Sequence, residues 1–161
     1  VVTLGHRRWL IDPWLADISF GRVDGDTFDS NTTGAAIKVI GGGQQDISSS
    51  GLTFVAYPFE EYPAELYDDG VMMSLTVIGS TASKWATANQ PSFSGAVVSV
   101  KGPGGALDVK DIAYDTDGYG VPNNLRWYAA GVQEGVTYDV SVTGVNVGGV
   151  TKKYSWWFSL D

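Results

Sequence analysis

The chain has 161 residues, enough to bury a real core in one or two small domains. Its formal net charge of −8 repels phosphate backbones and anionic lipid surfaces, which argues against nucleic acid or such a membrane as partner. Cysteine is absent, which excludes disulfides and cysteine zinc sites, and no apolar run approaches the ~20 residues of a spanning helix.

The opening stretch, Leu4 to Pro13, has helical spacing in a chain that otherwise reads as strand and turn. Leu4, Arg8 and Ile11 share one side of a helix, and Trp9 and Leu10 widen that face. Pro13 disfavours helical geometry at Asp12, so the helix is expected to stop there. Ile18 and Phe20 then alternate with Ser19 and Gly21 as a short strand. His6, the single histidine, falls in the first helical turn. Taken alone, it is expected to be a partly buried helix-end residue hydrogen-bonded to a neighbour.

The run Gly-His-Arg-Arg-Trp-Leu-Ile-Asp-Pro-Trp-Leu-Ala-Asp-Ile-Ser-Phe-Gly, residues 5–21, resembles a signature of bacterial proteins of the CAP superfamily (cysteine-rich secretory, antigen 5, pathogenesis-related 1). The Gly-His-Arg triplet, the Asp-Pro at the helix end and the closing Phe-Gly carry the likeness. Ser19 stands where the family has Gly. The resemblance implies that His6 faces a cavity shared with a second histidine and two acidic residues from segments earlier in such a domain. This chain has no second histidine. It therefore reads as the end of a CAP-like domain followed by something else: a cleavage product, a trimmed boundary, or one half of a nicked protein whose other half stays bound.

Arg22 to Gly34 reads as a polar loop. Its Asp24, Asp26 and Asp29 are oxygen ligands of the kind calcium takes, but Phe28 and Ala35 break the EF-hand spacing, and a solvated loop is the simpler reading. Ala36 to Ile40 is expected as a strand, which the resemblance pairs with the strand ending at Gly21. Residues 41–51 are a linker by composition. Thr53 to Leu66, with two prolines among its aromatics, is an extended arm whose rings pack across two units; the prolines forbid a central strand. A similar Tyr-Pro-rich connector follows the CAP domain in related proteins, a weaker second likeness. The expected division is 1–45, CAP-like terminal segment; 46–70, linker and connector; 71–161, β-sandwich.

From Val71 the pattern becomes regular. Strands are expected at 71–78, 95–101, 107–114, 125–129, 137–143 and 153–160. Tyr138, Val140 and Val142 alternate with Asp139, Ser141 and Thr143, the period of a half-buried strand. Tyr154, Trp156 and Phe158 share one face of the last strand, and Trp157 the other. Short strands punctuated by Gly, Pro and Asn turns give a mainly β class, an antiparallel immunoglobulin-like sandwich preceded by the helix–strand unit.

Catalysis by this chain alone has little to build on. No Gly-x-Ser-x-Gly elbow is present. Glu60, Glu61, Glu65 and Glu134 have no spacing that marks an acid and a base. The turn Asp115-Thr116-Asp117-Gly118 has the look of a calcium loop, but Arg126 occupies the twelfth position. An ordinary turn is the simpler reading, with Asp115 and Asp117 as structural calcium ligands the alternative and no other cofactor implied. Trp85, Tyr119, Trp127 and Trp157 are the aromatic candidates for ligand stacking, against a core role for Tyr154 and Trp156. The first reading of function is a non-catalytic, secreted or cell-surface binding or spacer segment. The second is a carbohydrate-binding module that stacks polysaccharide on exposed rings. The third is part of an enzyme in which His6 acts with a missing N-terminal portion.

Overall fold

The structure is a computed structural model that describes residues 4–27, 30–41, 43–68, 70–86, 90–118 and 120–161, with the backbone alone at 26–27 and 30–33. Helix α1 spans Gly5–Leu10. Ile11 donates its N–H to the Arg7 carbonyl at 3.0 Å, closing the last turn. Asp12 then turns its carboxylate back to the Trp14 N–H at 3.0 Å. The helix thus ends where the Asp-Pro pair requires.

Strands β1 (Ser19–Thr27) and β2 (Ser30–Lys38) form a separate antiparallel ribbon. Phe20 sits opposite Ile37 and Gly21 opposite Ala36, the expected pairing. The polar loop expected over 22–34 is instead ladder on both sides of residues 28 and 29. Polar side chains on both faces remove the alternation by which a strand is recognised, yet backbone pairing needs no apolar face. Phe28 and Asp29 lie outside the described residues.

The remaining strands are β3 (Phe54–Tyr57), β4 (Glu60–Tyr62), β5 (Met73–Val77), β6 (Val97–Gly102), β7 (Gly105–Ala106), β8 (Asp108–Asp115), β9 (Asn124–Ala130), β10 (Thr137–Val147) and β11 (Val150–Leu160). One sheet has the order β4-β11-β10-β6-β7 and the other β3-β5-β9-β8. The connector switches sheets at Tyr57-Pro58: β3 is the edge of one sheet and β4 the edge of the other, and its prolines fall just outside both strands. The sandwich is not antiparallel throughout, because β4 runs parallel to β11.

The core lies between the sheets. Met73, Leu75, Leu125 and Trp127 from one side meet Val100, Val140, Val142, Trp156 and Phe158 from the other. Trp127 and Trp156 are 6.2 Å apart between ring centres. Full burial of each large apolar side chain contributes roughly 1.5–3 kcal/mol.

The outward face of the four-stranded sheet is also covered. Ser74, Thr76, Asn124 and Arg126 alternate with core residues yet are buried. The helix α1 and the segments around it lie over them. Trp14, Ile47, Ile78 and Val121 make a second small core there. Ile47, the one apolar residue of the expected linker, is what seats that linker: Gln45 N–H also donates to the Trp14 carbonyl at 2.9 Å.

Gly120, with φ +81°, lies against α1; a Cβ there would fall 2.4 Å from the Arg8 carbonyl. Gly120→Ala should therefore cost about 2 kcal/mol or more. The expected result in urea unfolding is a lower midpoint with unchanged slope. An unchanged midpoint would show that α1 does not press on this loop.

Candidate functional site

Arg8 is fully buried and reaches from α1 to the end of β8 and the loop that follows it. Its Nε donates to the Val121 carbonyl at 2.9 Å, one terminal nitrogen to Asp115 Oδ1 at 2.7 Å, and the other to the Asp117 carbonyl. Arg126 donates to Asp115 Oδ2 at 2.6 Å. Asp115 thus bridges two guanidinium groups, and the Asp117 N–H also binds its carboxylate at 3.1 Å. This geometry favours the ordinary-turn reading of Asp115 and Asp117 over the calcium one. Both carboxylate oxygens of Asp115 are committed to fixed cations, which would repel a third. No group of three or more His, Asp or Glu side chains that could hold a metal occurs among the described residues.

Beside this anchor lies a tryptophan-rich junction. Lys84, nearly buried, pairs with the buried carboxylate of Asp12. Its Nζ is 5.3 Å from the Trp9 ring centre and 5.1 Å from that of Trp85. Trp85 is 53 % exposed and lies against Gly118, where a Cβ would come within 2.6 Å of the ring. Trp9, Trp14, Lys84 and Trp85 line a cleft of about 170 Å³ here. Sequence reasoning reached Trp85 but not Asp12 and Lys84 as a pair, since 72 positions separate them.

A second aromatic surface lies on the outer face of the five-stranded sheet. Asp139 is opposite Lys101 on one side and Trp157 on the other; Ser141 is likewise flanked by Ser99 and Ser155. Since Val140, Val100 and Trp156 point inward, these six point outward. They border a shallow groove of about 390 Å³ beside Lys153, with Trp157 40 % exposed. Trp127, by contrast, has no exposed surface and belongs to the core. Its candidacy as a stacking residue is corrected: inward-facing alternation on β9 puts it between the sheets. Tyr119 lies outside the described residues.

His6 is exposed rather than partly buried. It borders an open groove of about 440 Å³ between α1 and the ribbon, with Trp9, Leu10, Phe20, Ile37 and Val39. Among the described residues that line the groove there is no carboxylate. On the other side of α1, the Arg7 guanidinium lies 3.7 Å over the Tyr57 ring and donates to the Met72 carbonyl. Burial lowers the Arg7 pKa, and burial followed by the hydrogen bond with Tyr62 raises that of Tyr57. Both shifts describe a packed joint.

No family model, curated protein or solved structure matches this chain.

Calcium should leave the stability unchanged. Thermal unfolding in millimolar calcium and in excess chelator should give the same midpoint. A rise with calcium, abolished by Asp115→Asn, would restore the metal reading of this turn.

Proposed function

We propose that this chain is a non-catalytic binding segment of an exported or cell-surface protein, CAP-like in its opening unit, whose sandwich meets carbohydrate on the five-stranded sheet. The observation that carries this reading is the outward row Lys101–Asp139–Trp157 above the hydroxyl row Ser99–Ser141–Ser155. An indole offers a flat apolar face to the C–H face of a pyranose. An ammonium and a carboxylate beside it supply a donor and an acceptor for ring hydroxyls. A hydrogen-bonded sheet holds all of them at fixed spacing, which limits the entropy lost on binding.

The open groove beside His6 supports the CAP-like part of the reading. A two-stranded ribbon is marginal alone, and Phe20 at 63 % and Ile37 at 47 % exposure form an apolar face suited to a further polypeptide surface. Among the described residues the groove supplies no carboxylate to orient this exposed imidazole, which fits a non-catalytic role. The acidic composition, rich in Ser, Thr and Gly, fits an extracellular setting.

Retention on insoluble polysaccharides tests the carbohydrate reading. At least one of cellulose, xylan, chitin or mannan should retain the protein, and Trp157→Ala should weaken that retention by about 30-fold, the equivalent of one hot-spot tryptophan. Release of the protein from every polysaccharide, or retention indifferent to Trp157→Ala, would remove the sheet face as the binding surface.

A further inference from the structure

Two buried polar atoms beside the junction cleft have no hydrogen-bond partner among the described residues: Trp14 Nε1 and Asn123 Oδ1. Trp14 is 5 % exposed and Asn123 7 %. Both residues line the same small cavity of about 10 Å³, together with Ser80, Ser83 and Lys84. One atom is a donor and the other an acceptor, and leaving each unmet costs roughly 1–3 kcal/mol. A space of this size holds about one water-sized group.

We propose that this cavity, with the adjoining cleft, is a second binding site that takes a neutral saccharide ring with one hydroxyl inserted between Trp14 and Asn123. A hydroxyl accepts from the indole N–H and donates to the amide oxygen at once. A carboxylate cannot donate to Asn123, and an ammonium cannot accept from Trp14. The cavity and the cleft of about 170 Å³ share Trp14 and Lys84 as walls, so a ring in the cleft lies next to the cavity. That volume is below the ~300–1,000 Å³ of drug-sized sites, which restricts the ligand to about one ring. The half-exposed Trp85 gives the ring an apolar face to lie on. The charge of Lys84 is cancelled by Asp12, so the walls carry no net charge from this pair and select a neutral ligand. The site is separate from the sheet face and does not depend on it.

Indole N–H resonances of the intact chain test the site, because its six tryptophans report individually. The probes are neutral cello-, xylo-, manno- and N-acetylglucosamine oligosaccharides at millimolar concentration, with assignments from single Trp→Phe variants. At least one series should move the Trp14 and Trp85 resonances saturably. Trp14→Phe keeps the ring and removes the N–H; Asn123→Gly suits the positive φ of 62° and removes the amide. Each of these, and Trp85→Ala, should raise Kd about tenfold, read on the remaining junction resonances. Saturable shifts confined to Trp157 would locate sugar binding on the sheet alone and overturn the proposal while leaving the sheet reading intact. No saturable shift of Trp14 with any probe would show that the cavity holds solvent only, and would equally overturn it. So would junction affinity unchanged by both Trp14→Phe and Trp85→Ala.

Discussion

The ion pair of Arg8 with Asp115 is the constraint on which the architecture turns. A six-residue helix cannot hold itself together in water. It persists because its buried cation, Arg8, is held by the loop between β8 and β9 and by the end of β8. Asp115 is held in turn by Arg126 from the neighbouring strand. Removing one partner from such a buried set costs roughly 3–5 kcal/mol, although an apolar replacement of the whole set could be as stable. Geometry is therefore what the pair supplies above all: it fixes how α1 lies on the four-stranded sheet. Trp9, Asp12 and Trp14 take their places from that, and the junction cleft exists only as a consequence.

The same constraint explains why β5 and β9 are buried on both faces. Period-two patterning assigns one face of a sheet to the core and the other to water. Here Ser74, Thr76, Asn124 and Arg126 sit on the second face and are covered by the helix side of the molecule. Polar residues remain useful there because they bind one another and the incoming loop: Asn124 donates to Thr76 Oγ1 at 3.1 Å. The two cores, one between the sheets and one around Trp14, are thus separated by a sheet carrying apolar residues inward and polar anchors outward.

Local signals in the sequence were enough for the helix end at Asp12-Pro13, for the mainly β class, and for β10 and β11, whose alternation is clean. The ribbon over 22–27 and 30–35 was not legible, because nothing distinguishes a strand polar on both faces from a polar loop. The turn at Asp115-Thr116-Asp117-Gly118 was legible as a turn but not by its partner; the same short carboxylate that suits calcium also suits a guanidinium. Trp127 between Arg126 and Tyr128 showed that adjacent side chains face opposite ways, yet not which way is in. The Asp12–Lys84 pair and the meeting of Trp14 with Asn123 depend on the closed fold, and no local spacing encodes either. Of the candidate rings, Trp85 and Trp157 lie on open surfaces and Trp127 does not.

The most direct measurement of the central claim is a double-mutant cycle on Arg8→Met and Asp115→Ala, read by equilibrium urea unfolding. If the ion pair fixes α1 on the sandwich, the two single losses should overlap, with a coupling energy of about 2 kcal/mol or more, inside the range of directly interacting pairs. Strictly additive losses would contradict the account, since the helix and the sheet would then be held together by something else.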